Sequence, residues 1–267
     1  MHGLANYVLW LWEFSVGTQV VVCALLFFKG NFRRIPLFTS YLISNILQAA
    51  LVFAAYSRLG FLSRSAGLLA WMSQSVPQLL RVLAMTEMIR LILRPYRGIW
   101  GLGWRLLTIA FVSVFFYALL DSRNDIRWAI GLADRGFHLA FGVALVACLL
   151  LIRYYAIPIH SAYKTILAGF CFYSCTMVLA NTIGRALLIR GISDFGTGWQ
   201  LLSVGTFVVV LIVWGTVLRT PLPEPDPEVE LQAAEGTYWE LSPRINDRLR
   251  LLNNHLYRLW KAEAPRQ

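Results

Sequence analysis

Of the ionisable residues within this chain's long apolar runs, Glu13, Arg81 and Glu87 are the candidates for function. A charged side chain at mid-helix costs about 2.5–3.5 kcal/mol on insertion scales, so each needs a partner or a task. Gln74, Gln78 and Arg81 follow one another at spacings of four and three, which stacks them on one face of a helix. Pro77 in the same run lacks an amide and frees the carbonyl of residue 73, predicting a kink there. Ser44, Asn45 and Gln48 fall in the second run; Asn6, Glu13 and Gly17 share a face in the first; Ser174, Asn181 and Arg185 share one in the sixth. One reading converges these groups on a polar cavity open to the outside. Its ligand-binding residues would be Glu13, Asn45, Gln48, Gln74, Gln78, Arg81 and Asn181, with Arg81 as an anion-recognising floor and Glu13 as counter-charge. The plainer reading has Glu13 and Arg81 neutralise one another while the amides cross-link helices, at about 0.6 kcal/mol per intramembrane bond. Glu87, three residues before Arg90, reads as a local helix-end ion pair.

Other chemistry is absent from the pattern. Bis-histidine haem ligation needs at least two membrane histidines, and only His138 lies in an apolar run; His2, His160 and His255 are scattered and form no metal-ligand set. A retinal Schiff base needs an intramembrane lysine, whereas Lys29, Lys164 and Lys261 fall at run ends or beyond. Asp121, Asp125, Asp134 and Asp194 read as residues in or beside outer loops, so no aspartyl dyad forms. No nucleophile elbow, zinc-protease motif or phosphate-binding glycine loop occurs. Cys23, Cys148, Cys171 and Cys175 sit inside apolar runs and behave there as small apolar residues. The expectation is a non-enzyme with no metal and no cofactor.

The elements that must position these side chains are helices in lipid. Of 267 residues, 58% are hydrophobic and only 14% charged, against about 25% charged in soluble domains. A helix needs roughly 20 apolar residues to cross the hydrocarbon. Seven runs qualify: Val8–Phe28, Leu37–Tyr56, Leu68–Leu93, Trp100–Leu120, Ala133–Tyr155, Tyr163–Ile189 and Trp199–Leu218. The first lacks a basic flank and exceeds the length of a signal-peptide core, so it reads as an uncleaved helix. The fold class is therefore all-α: a polytopic seven-transmembrane-helix bundle over residues 1–220, with the lipid bilayer as its first partner. The net charge of +10 does not point to nucleic acid, because Lys and Arg gather in the short connections. Their bias, sharpest in Lys29–Arg34, sets the N-terminus outside and the C-terminus in the cytoplasm of a plasma (inner) membrane.

Residues 221–241 open with Pro221, Pro223, Pro225 and Pro227 interleaved with Glu224, Asp226 and Glu228, an extended acidic linker. Ser242-Pro243 then supplies a cap and a first-turn proline. Ile245, Leu249, Leu252, Leu256 and Leu259 recur at spacings of four and three, predicting a basic amphipathic cytoplasmic helix over 242–262. Arg244, Arg248, Leu249, Leu252, Leu256, Arg258 and Trp260 are its candidate contacts with the inner leaflet, the bundle surface or a cytoplasmic protein partner.

Across its length the chain resembles a group of bacterial seven-helix membrane proteins to which no activity is attached. The residues that carry the likeness are Arg33-Arg-Ile-Pro-Leu-Phe-Thr-Ser-Tyr41, Arg94-Pro-Tyr-Arg-Gly98, and Tyr238-Trp-Glu-Leu-Ser-Pro243 with the leucine stripe. The resemblance implies fold and location only. Rhodopsin-like receptors fit worse, because Asp-Arg-Tyr and Asn-Pro-x-x-Tyr are missing. Sugar exporters share the letters of Pro77-Gln78, but in a single copy. Three functions stay open: a non-enzymatic sensing or interaction module that takes a small polar ligand, a transporter of a small polar or anionic solute, and a scaffold acting through its tail. The single proline-broken run argues against the repeat symmetry usual in transporters.

Overall fold

Apolar residues at helical spacing wind nearly all of the described part of this chain into α-helix. The computed structural model describes residues 2–60, 63–94, 97–121, 126–154, 159–189 and 195–222, with Pro243, Asp247, Arg250, Leu251 and Asn254 beyond them. Seven α-helices lie among the described residues: α1 His2–Phe28, α2 Pro36–Leu59, α3 Arg64–Leu93, α4 Arg97–Asp121, α5 Ile126–Tyr154, α6 Ser161–Ile189 and α7 Phe195–Val217, with a 3-10 turn at Asn31–Arg33. Five of the helices contain a stretch long and apolar enough to cross a membrane: Tyr7–Phe28, Pro36–Leu59, Gly103–Asp121, Ala129–Arg153 and Ser161–Gly184. Leu201–Val217 is a shorter apolar helix. The chain is an integral membrane protein of helical, polytopic build. Helix α3 falls outside the apolar set because Ser73, Gln74, Ser75, Gln78, Arg81, Glu87 and Arg90 dilute it.

Two compact units divide the chain, one of Met1–Leu150 with Ile159–Glu224, the other of Leu151–Pro158 with Pro225–Gln267. In the first, α2 packs along α3, α6 along α7, and α1 against both α7 and α2, while α3 also meets α4 and α6. Helix α5 joins through small residues: a Cβ at Gly136 would run into Val114 of α4, and one at Gly142 would touch Ser174 of α6. Inward faces follow the helical repeat. In α1 they are Ser15, Gln19, Val22, Cys23 and Leu26; in α3, Gln78, Arg81, Val82, Met85, Met88, Ile89 and Ile92. The outward faces are apolar as well, with Trp10, Phe28, Leu120 and Val143 all exposed, as lipid-facing surfaces require.

Polar side chains tie the end of the bundle that holds the Lys29–Arg34 connection. Asn31, fully buried, donates to the carbonyls of Leu218 and Thr220 at 3.4 and 3.2 Å and accepts from the Leu222 amide at 2.8 Å. Helix α2 has no side-chain cap of its own at Ile35. Glu87 of α3 supplies one, its carboxylate accepting from the amides of Leu37 and Phe38 at 3.2 and 2.9 Å. Glu87 is therefore a capping residue between helices, not the local ion pair with Arg90 that its spacing suggests. The amides at the start of a helix have no intrahelical acceptor, which makes them the stronger claimant on a nearby carboxylate. Nearby, Trp214 of α7 packs edge-on to Phe38 and against Phe170, and its indole donates to the Ile166 carbonyl at 3.2 Å.

In the second unit, Pro243, Asp247, Arg250, Leu251 and Asn254 are helical and exposed. The tail candidates Arg244, Arg248, Leu249, Leu252, Leu256, Arg258 and Trp260 lie outside the described residues.

Candidate polar site in the bundle

Helix α3 turns Gln78 and Arg81 inward on one face, as their spacing requires. Arg81 does not meet Glu13. Its guanidinium Nη2 donates to Asp134 Oδ1 of α5 at 2.6 Å. Both side chains are largely shielded, at 9% and 18% exposure, so the pair is held in low dielectric where each charge needs the other. Glu13 is exposed on the outer face of α1. The expected Glu13–Arg81 pair is thus corrected to Arg81–Asp134, for a geometric reason. Helix α5 begins at Ile126 rather than at Ala133, which carries Asp134 roughly two turns inside the helix. On α1 the inward face runs through Ser15 and Gln19 instead of Glu13 and Gly17.

His138 stands one turn after Asp134 on the same face of α5, its Nε2 3.7 Å from Asp134 Oδ1. That is beyond hydrogen-bond length, and both ring nitrogens of this buried histidine lack a hydrogen-bond partner. Its ring packs edge-on against Tyr173 of α6, centroids 5.4 Å apart, and Tyr173 in turn meets Phe207 of α7. Tyr41 and Tyr173 both lie within electrostatic reach of Arg81 and Asp134. Gln19 Oε1, Gln78 Nε2 and Ser174 Oγ are also buried without partners. Native interiors leave few such atoms, and here they cluster on the inward faces of four helices.

Beside this cluster is a cavity of about 150 Å³ between α1, α2, α6 and α7. Its polar wall consists of Ser15, Gln19, Asn45, Gln48 and Ser203; its aromatic wall, of Trp12, Tyr173 and Phe207. Each of these residues except Trp12 lies near the middle of its helix, so the cavity sits at mid-depth. Among the described residues no charged side chain lines it. Asn45 donates to the Tyr41 carbonyl at 2.8 Å and Gln19 donates to Ser15 Oγ at 3.4 Å, which leaves the Gln19 carbonyl oxygen unpartnered.

Of the sequence candidates, Asn45 and Gln48 line this cavity. Gln78 and Arg81 are buried beyond its lining, Gln74 is half-buried, and Asn181 accepts from the Trp199 indole at 3.2 Å. The side chain of Arg185 lies outside the described residues. Residues the sequence did not single out are Asp134, Ser15, Gln19, Tyr173 and Ser203. The Asp134–His138 spacing of four was the one available signal, since it predicts a shared helical face.

No protein family, no curated protein and no solved structure matches the chain.

Proposed function

We propose that this is a seven-span protein of the plasma (inner) membrane, N-terminus outside, that acts as a non-enzymatic sensing or interaction module by holding a small uncharged polar molecule at mid-membrane. The lining of the cavity carries this reading: hydroxyls and carboxamides beside three aromatic rings, with no charge among the described residues. Such a wall offers donors and acceptors to a neutral hydrogen-bonding solute and a flat apolar face to its skeleton. Its volume of about 150 Å³ matches cavities that admit a molecule the size of benzene. Pairing of Arg81 with Asp134 speaks against an anionic ligand, because Arg81, the one buried Lys or Arg among the described residues, is already neutralised. The likeness to bacterial seven-helix membrane proteins agrees with this location and adds no activity.

The test is thermal unfolding of the detergent-purified chain with urea-free panels of acetamide, glycerol and related neutral solutes. A solute that binds raises the midpoint of the native chain and leaves that of a Gln19→Leu, Asn45→Leu variant unmoved. Equal responses in the two proteins, or none in either, reject the reading.

A further inference from the structure

A second groove opens where α2, α3 and α4 meet, at the end of the bundle that carries the Lys29–Arg34 connection. It encloses about 400 Å³ between Leu37, Leu83, Glu87, Arg90, Trp100 and Trp104. We propose that this groove is a binding site for an anionic phospholipid of the leaflet at that end, with the phosphodiester on Arg90.

Charge comes first. Arg90 is exposed, and among the described residues no carboxylate forms an ion pair with it. Glu87 faces the same groove and attracts Arg90 electrostatically, but its two oxygens are engaged by the Leu37 and Phe38 amides. Arg94, the residue that ends α3, and Arg105 of α4 are exposed as well, which adds positive charge to the same stretch of the chain. Basic residues at the membrane surface attract anionic headgroups.

The aromatic residues set the depth. Trp100 and Trp104, ring centroids 5.8 Å apart, occupy the first turns of α4 on either side of Gly103, where its apolar stretch begins. Tryptophan prefers this level, with its ring among the glycerol and carbonyl groups and its N–H able to donate to an ester.

An acyl track completes the fit. Val76, Leu79 and Leu83 are exposed on α3 at spacings of three and four, and the same stripe continues through Glu87 to Arg90. From Val76 to Arg90 a helix rises roughly 21 Å, close to the depth of one leaflet with its headgroups. The groove therefore presents, in order from the interface inward, a cation, an indole pair and an aliphatic ridge, which is the order of parts in a phospholipid. This inference is independent of the mid-membrane cavity.

The experiment compares phosphatidylglycerol, phosphatidylcholine and inorganic phosphate as additions to the full-length chain in neutral detergent, read by thermal midpoint and by native mass spectrometry of bound lipid. Phosphatidylglycerol should raise the midpoint more than phosphatidylcholine, and phosphate alone should not. The excess, and the retained lipid, should disappear in Arg90→Gln, shrink in Trp104→Ala, and persist in Arg64→Gln, which removes the same charge at the opposite end of α3. Arg90 is exposed and, among the described residues, forms no ion pair, so its variant is expected to fold with an unchanged midpoint in phosphatidylcholine. Equal shifts from the two lipids, a full shift from phosphate, or an undiminished preference in Arg90→Gln each overturn the proposal.

Discussion

At the scale of single residues, two buried charges and one borrowed cap decide what the bundle tolerates. Arg81 and Asp134 pair where both side chains are largely shielded, so removing one partner strands the other. Arg81→Met or Asp134→Asn alone should cost about 3–5 kcal/mol, while the double change should recover most of that loss. Thermal unfolding of the four proteins of the cycle measures it, and additive losses would show that the charges act separately. Glu87→Ala leaves the first amides of α2 without an acceptor and should cost about 1–2 kcal/mol, the usual toll of a lost N-cap. Glu87→Gln keeps one carboxamide oxygen and should recover part of the loss, whereas a purely coulombic role for Glu87 predicts no difference between Gln and Ala.

At the scale of elements, glycine positions test which faces touch. A Cβ on Gly169 of α6 would run into the Trp214 indole of α7, but one on Gly205 of α7 would meet nothing within 4 Å. Gly169→Ala should therefore cost about 1–3 kcal/mol through overpacking, and Gly205→Ala should be neutral or gain up to about 1 kcal/mol in helix propensity. Loss of stability in both, read by unfolding in detergent, contradicts the α6–α7 contact. The helices themselves were legible in the sequence, since apolar length and helical spacing are local signals: each of the seven expected runs falls in a helix, except for Tyr155, outside the described residues, and Leu218, one past the end of α7. The inward stripe of α3 was legible for the same reason, through Gln78 and Arg81. The partners were not. Which face of α1 turns inward depends on its neighbours, so spacing alone could not choose Ser15 and Gln19 over Glu13 and Gly17. Asp134 was hidden by a different cause: helix α5 starts in a polar stretch, where hydropathy marks the apolar run and not the helix. The cap from Glu87 joins residues about fifty positions apart, a separation at which no sequence periodicity operates.

For the whole molecule, the number of spans turns on α3, a helix of 30 residues long enough to cross but too polar to qualify on composition. If it spans, Arg58 at the end of α2 and Asp121 at the end of α4 lie on the same side of the membrane. Arg58→Cys and Asp121→Cys should then react alike with a membrane-impermeant maleimide applied to intact cells; opposite labelling rejects the seven-span reading. The pairing of Arg81 with α5 and of Glu87 with α2 supports the spanning arrangement, because a polar helix can stay in lipid when its neighbours satisfy it. The claim on which the functional account rests is that the mid-depth cavity admits a small neutral polar molecule. Its most direct test is the reaction of Ser203→Cys, in native membranes, with methyl methanethiosulfonate and with an anionic methanethiosulfonate, each read by mass spectrometry against the buried Cys148 as internal reference. The account predicts fast modification by the neutral reagent, far slower modification by the anionic one, and neither at Cys148. Modification of Ser203→Cys no faster than that of Cys148, or equal rates with the two reagents, would contradict it.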